Sequence, residues 1–296
     1  MTKYRAYSYA AGTIVNAIAT GKGAAFALDL STQVELELMG GWGDDRIEIY
    51  SSSGEDTSFS ELCVKKALAW CGKSCGARLS IESDIPVAQG LSSSSALSNA
   101  IFLAAAKASR LDATDEQIIR GAVDCSIEGG VSITGAYDDA SASFFGGVTV
   151  TDNLKRKVIK TDRFPHNHSI ILLVSDKKAY TKDVDKEKIR LIGPYVELAY
   201  QKALEGDYFN ALTLNGLLYT GVLGYSPDPV YDMLSAGAMA AGLSGTGSAY
   251  LAIAEKNQSS KIAASVEKYG RVIETRPVNT GAKAMHALPQ DKTPAH

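Results

Sequence analysis

Eleven consecutive residues carry the clearest chemistry in the chain: Pro86, Val87, Ala88, Gln89, Gly90, Leu91, Ser92, Ser93, Ser94, Ser95 and Ala96. Gly90 lets the backbone come close to a ligand, and four serines in a row supply hydroxyl donors. Just downstream, Leu97, Ala100, Ile101, Ala104, Ala105 and Ala108 recur at the spacing of one helix face. The serines therefore stand at a predicted helix N-terminus, where unpaired N–H groups and the helix dipole favour an anion. A single serine there is explained by capping. Four after a glycine exceed that need and point to a polyphosphate. No Gly-Lys-Ser/Thr follows at Walker A spacing, so this is not a P-loop.

Three further stretches hold polar groups in small or apolar surroundings. The first contains Asn16, Thr20 and Lys22, with Lys22 between Gly21 and Gly23, where a flexible backbone can deliver an ammonium to an anion or simply turn at the surface. The second places Asp138 and Asp139 side by side on a short predicted helix between Gly135 and Gly146. Acidic residues at a helix start often serve the cap and the dipole. Beside a phosphate site, either carboxylate could accept a hydroxyl proton or hold magnesium. The third brackets Thr246 between Gly245 and Gly247. A lone Gly-x-Gly is a weak signal for close backbone approach.

Hydrophobic periodicity supplies the elements that must position these groups. Residues 33–39 and 46–50 read as strands joined by the turn 40–45, residues 60–71 as a helix, and 77–83 as the strand before the serine loop. A helix is predicted over 115–128, and a strand from 148 follows the aspartate pair. The charged, proline-containing stretch 152–168 marks a domain boundary. Beyond it come a buried strand at 169–174 and helices at about 183–205, 207–222 and 228–241. The third glycine loop then lies between a helix and the strand 251–254. A helix at 259–269, a strand at 271–275 and a polar tail after 288 complete the reading. The run Lys182 to Arg190 is dense in both charge signs, as in a solvated helix face or a lid.

At 296 residues the chain is long enough for one large domain or two ordinary ones. A hydrophobic fraction of 45%, a charged fraction of 21% and a net charge of −3 suit a globular protein with no electrostatic reason to bind nucleic acid or anionic membrane. No apolar run approaches the ~20 residues of a membrane span. The first residues lack the apolar core of a signal peptide, which leads to a cytoplasmic expectation. Cys63, Cys71, Cys75 and Cys125 lack zinc-type spacing and read as buried thiols. His166 and His168 read as a solvated turn.

The glycine-rich stretches, in this order and at these separations, resemble the GHMP small-molecule kinase superfamily over nearly the whole chain. Residues 86–96 look like its phosphate loop, residues 10–20 its first motif (with Ala10 or Ala11 where many members have proline), and residues 242–251 its third. Some members have glycine where this chain has Ala88. Within the superfamily, the segments 12–25, 134–143, 212–219 and 242–247 are most similar to the archaeal-type shikimate kinases. The resemblance implies an α+β, two-domain GHMP kinase fold with the active site in the interdomain cleft, divided here as residues 1–155 and 165–296. It also implies transfer of phosphate from ATP, with Mg2+, to the small alcohol shikimate. Ser93 or Ser94 would help hold Mg2+. Counting back from Gly146 aligns Asp139 with the catalytic aspartate, and counting forward from Gly135 favours Asp138. Gly245 and Thr246 would close the phosphate end. Asn16 and Thr20 are candidates for substrate hydroxyls, and Lys22, Arg78 or Arg276 for the substrate carboxylate, with Lys22 the first choice as an active-site cation.

Overall fold

A computed structural model describes residues 3–40, 45–52, 56–165, 167–175 and 185–286. Strands β1 (Lys3–Val15) and β2 (Lys22–Met39) form a long antiparallel pair whose register runs from Lys3↔Glu37 to Val15↔Ala24. Burial alternates through Ala6, Ser8 and Ala10, then is continuous to Val15. The second half of β1 is thus covered on both faces. Its small residues permit that: a Cβ on Gly12 would lie 2.9 Å from the Phe26 ring and 3.0 Å from Leu251.

Strand β3 (Ile47–Ser51), helix α1 (Ser58–Trp70) and strand β4 (Gly76–Ser83) make a crossover unit. β3 pairs parallel with β4, and β4 pairs antiparallel with β2. The strands expected at 33–39 and 46–50, joined by a turn, are therefore not paired with each other, because β4 lies between them. Helices α2 (Ser93–Ala108), α3 (Asp115–Glu128) and α4 (Tyr137–Phe145) complete this half. α2 packs on α1, α3, β1 and β2. Thr114 and Gln117 form a reciprocal capping box at the start of α3. Cys63 and Cys125 are buried with their Sγ atoms 3.1 Å apart, whereas Cys71 and Cys75 are only half-buried.

Strand β5 (Val148–Asp152) pairs with the first half of β2, and β6 (Lys157–Asp162) pairs with β5, inside the stretch expected to separate the domains. The second sheet has the order β10–β7–β9–β8, all neighbours antiparallel. Its strands are β7 (His168–Val174), β8 (Ala240–Leu243), β9 (Tyr250–Glu255) and β10 (Arg271–Thr275). Helices α5 (Lys186–Arg190), α6 (Gly193–Glu205), α7 (Tyr208–Leu223), α8 (Asp228–Ser235) and α9 (Ser259–Val266) accompany it. α7 lies so close on β8 that a Cβ on Gly216 would overlap Gly242 Cα.

Three expectations change here. The helix expected over 183–205 is α5 and α6, with a break before Gly193-Pro194; residues 182–184 of the charged run lie outside the described residues. So do residues 41–44 of the expected turn, His166 and the polar tail after 288. The helix expected over 228–241 stops at Ser235, with Gly237 at φ +106°, and residues 240–243 are a strand. The third glycine loop consequently joins two strands, β8 and β9. Short apolar runs such as Ala-Ala-Gly-Leu do not distinguish helix from strand by periodicity. Finally, the chain leaves β10 and returns to the first sheet. Pro277 bridges Leu28, Val278 N–H donates to Ala27 O (3.0 Å), and β11 (Lys283–His286) pairs with β1. Among the described residues, no helix is long and apolar enough to cross a membrane.

Candidate active site

The N-terminus of α2 opens into a cleft of about 440 Å3. Phosphate-loop residues Val87, Ala88, Gly90 and Ser92 to Ser95 line it, with Ala17 and Ile18 after β1, Gly129 to Thr134, the aspartate pair, and Gly245 and Thr246 from the second half. Ser92 has left-handed backbone (φ 61°) and does not cap the helix with its side chain; its hydroxyl donates to Ala11 O (3.4 Å). The first helical bond runs from Ala96 N–H to Ser92 O (3.0 Å). The N–H groups of Ser93, Ser94 and Ser95 thus precede the ladder, as anion binding at a helix start requires.

Three non-glycine residues of the lining are left-handed: Ala88 (φ 56°), Ser92 (φ 61°) and Ala136 (φ 47°). Such backbone costs about 1–2 kcal/mol per residue, and its concentration here marks a site whose shape is imposed by its surroundings. The glycine that some superfamily members carry at position 88 thereby finds a physical reason. Replacing Ala88 with glycine is expected to leave nucleotide binding intact and raise stability by up to about 1 kcal/mol, read by chemical denaturation.

Hydrogen bonds lock the three glycine-rich stretches together. Ser244 Oγ donates to Gly90 O (2.8 Å) and accepts from Thr13 N–H (3.2 Å), while Thr13 Oγ1 accepts from Gly245 N–H (2.9 Å). Ser248 Oγ donates to Gln89 Oε1 (2.7 Å), and Gln89 O accepts from Ala249 N–H (3.0 Å). Asn16 Nδ2 donates to Gly245 O (2.9 Å) and its Oδ1 accepts from Ile18 N–H (2.9 Å). Asn215 Oδ1 and the Tyr219 hydroxyl hold the turn after β1 from the α7 side, through Asn16 N–H (3.0 Å) and Ala19 N–H (3.1 Å).

α4 brings the two aspartates into the same cleft, and their surroundings differ. Asp138 is 4% exposed; its Oδ1 accepts from Asn153 Nδ2 (2.8 Å) and its main-chain O from Thr149 Oγ1 (3.2 Å). Gly23 leaves it room, since a Cβ there would overlap Asp138 Oδ2. Asp139 retains some exposure to the cleft, yet its Oδ1 is buried without a hydrogen-bond partner. Burial pushes the Asp139 carboxyl well above the usual carboxylate range, the adjacent Asp138 charge adds to the rise, and Ser92 opposes it. Asp138 is also raised by burial, opposed by the Asn153 bond. α4 itself is held by Asn99 Nδ2 of α2, which donates to Ala140 O (2.9 Å), and by Ser143 Oγ, which donates to Tyr9 O (2.6 Å).

The candidate cations sit elsewhere. Lys22 Nζ is clasped by Glu197 (2.9 and 3.1 Å) beside the Tyr200 ring, Arg78 by Glu48 and Glu37, and Arg276 by Asp29 (2.7 Å) beside a different surface depression. Among the described residues, no lysine or arginine lines the cleft. Thr20 closes a turn on Lys22, with Oγ1 bonded to both its N–H and its C=O (3.2 Å each). Asn16 lines the cleft, but its amide is already engaged as a clamp. Pro86, Gln89, Leu91 and Ala96 shape the loop from behind it rather than line it; Leu91 is in the core. Residues without an advance signal were Asn153, Ser244 and Thr13, single polar side chains whose partners lie on distant segments.

The start of α2, which lacks a side-chain cap, the second glycine loop and the carboxylate pair thus share one cleft. Residues 59–147 match the GHMP kinases N terminal domain and residues 202–272 the GHMP kinases C terminal domain. The chain belongs to the GHMP kinase family, whose members are ATP-dependent small-molecule kinases. It is 41% identical to a shikimate kinase of Methanothermobacter thermautotrophicus, over 92% of this chain and 95% of that one. It is 40% identical to a shikimate kinase of Methanocella arvoryzae, over 93% and 94%. In structure it superimposes on a homoserine kinase from Cytophaga hutchinsonii with a TM-score of 0.72, covering 96% of this chain and 98% of that chain at 18% identity, a likeness of fold.

Proposed function

We propose that this protein is a shikimate kinase, transferring the γ-phosphate of ATP to the 3-hydroxyl of shikimate. Near-full-length identity of about 40% to archaeal chains bearing that name supports the substrate. The observation that carries the chemistry is the unpartnered Oδ1 of Asp139, in a cleft shared with the N-terminus of α2.

Phosphoryl transfer asks for positioning and charge stabilisation more than for covalent chemistry. The N–H groups at the start of α2 and the backbone around Gly90 receive the phosphates, and the loop at Gly245 and Thr246 covers them. Val87 and Asp56 line the same cleft. The acceptor alcohol takes the part of the cleft beside Asp139. Asp139 accepts the proton of the attacking hydroxyl or orients it, because its vacant oxygen has no other donor. Asp138, whose oxygen is already bonded, holds its neighbour in place and keeps it basic by its charge.

Among the described residues, the side chains of the lining offer a cation only oxygen donors: serine and threonine hydroxyls, carboxylates and the Asn16 amide oxygen. That donor set fits Mg2+. Ser93 and Ser94 would hold it, and when bound it would neutralise charge on the transferring phosphoryl group. A cytoplasmic setting, where ATP is available, suits such an enzyme.

The test is ADP release coupled to a dehydrogenase readout, with ATP and Mg2+ and with shikimate, homoserine, mevalonate and pantoate offered separately. Turnover with shikimate alone is the expected result. Turnover only with another alcohol would retain the kinase chemistry and remove the substrate.

A further inference from the structure

Asn153 follows β5 and is 3% exposed. Its amide is used at both ends. Nδ2 donates to Asp138 Oδ1 (2.8 Å), and Oδ1 accepts from Thr151 Oγ1 (2.7 Å), which also lies 3.3 Å from Gly23 O. A carboxylate can only accept, so the amide must present its NH2 group to Asp138 and its oxygen to the hydroxyl. The backbone of Asn153 is fixed as well: its N–H donates to Gly21 O (2.8 Å) and its carbonyl accepts from Arg156 N–H (3.2 Å). One side chain therefore ties the glycine turn at 21–23, the end of β5 and the aspartate pair to a single point.

We propose that Asn153 is a positioning residue for phosphoryl transfer, acting through Asp138 to hold the α4 carboxylates in the geometry at which Asp139 meets the acceptor hydroxyl. This deepens the reading of Asp139 as the proton acceptor and rests on it. Asn153 does not line the cleft. It touches neither nucleotide nor alcohol, and its influence is transmitted by the orientation of Asp138. Supporting residues of this kind typically change activity about 10–100-fold.

The test is a double-mutant cycle on kcat, with KM for ATP and thermal melting measured on each variant. N153A is expected to lower kcat roughly 10–100-fold with KM for ATP within about twofold of wild type. In a D138A background, N153A is expected to lower kcat by no more than about twofold further, because its partner is gone. N153L is close in size, carries no donor and is expected to lose at least as much as N153A. Multiplicative losses in the two backgrounds, or full kcat in N153L, would overturn the proposal and indicate a packing role. If shikimate is not the acceptor, the same cycle is read on whichever alcohol is phosphorylated, so the substrate reading and the relay fail separately.

Discussion

Replacing Asp139 by asparagine is expected to abolish most turnover and at the same time stabilise the ligand-free protein. The loss in kcat should be roughly 10^2–10^4-fold, the usual contribution of a positioned proton acceptor, with KM for ATP little changed because the phosphate-binding backbone is untouched. The gain in stability follows from the lost charge, because burial and the adjacent Asp138 carboxylate both disfavour the ionised form of Asp139. The sign with pH follows from the raised carboxyl. The folded protein holds that proton more tightly than the unfolded chain, so the contribution of Asp139 to stability is greatest below the ordinary carboxylate pKa of ~4 and declines as pH rises from there towards the raised value. An asparagine amide has no such proton to lose. The difference in melting temperature between D139N and wild type should therefore open above about pH 4 and favour the mutant at neutral pH. Melting curves across pH, beside steady-state kinetics, check both halves. A mutant that is inactive and no more stable than wild type would mean that Asp139 carries no destabilising charge in the folded protein.

Gly90 is the second position where a small change should have a large effect. Its backbone is left-handed (φ +74°), and a Cβ would overlap Ser244 O and lie 3.1 Å from Gly247 O. Those contacts are with main chain, so no side chain can rotate away. The variant Gly90→Ala must push the phosphate loop off the Gly245 loop, breaking the Ser244–Gly90 bond that joins the halves. The expected costs are about 1–2 kcal/mol for the backbone and about 1–3 kcal/mol for the overlap, with ATP affinity falling more than about tenfold. Gly224 is the matched control, since it has the same hand (φ +75°) and nothing within 4 Å of its Cβ position. The variant Gly224→Ala should show the backbone cost alone and bind ATP normally. Denaturant titration and calorimetric ATP binding separate the two.

What could be read in advance was local. The serine loop stands out because glycine, serines and helix periodicity fall within one short stretch, and α3 because its helical pattern covers 115–128. The aspartate pair was visible as a pair, but the distinction between its members depends on Asn153, whose bond has no sequence signature. Polar side chains with distant partners were the least legible. Lys22 looked like an active-site cation between its glycines, but it meets Glu197, 175 residues away. Asn16 looked like a substrate contact, but its amide holds Gly245, 229 residues away. The strand pairings show the same limit. A turn between 39 and 47 does not say which strands pair; α1 carries the chain across, which lets β3 run parallel to β4.

The return of the last strand also bears on how the protein is made. β11 lies against β1, so β1 leaves the ribosome some 280 residues before the strand it pairs with; Tyr4 and His286, bonded across that pair, are 282 residues apart. During synthesis the outer edge of β1 is therefore an open row of backbone donors and acceptors, the kind of edge that recruits other strands. The first half of the molecule can collapse around α2 early, but it is sealed only by the closing segment. Chains interrupted after β10 would carry the whole phosphate loop and both aspartates and still present a template for aggregation.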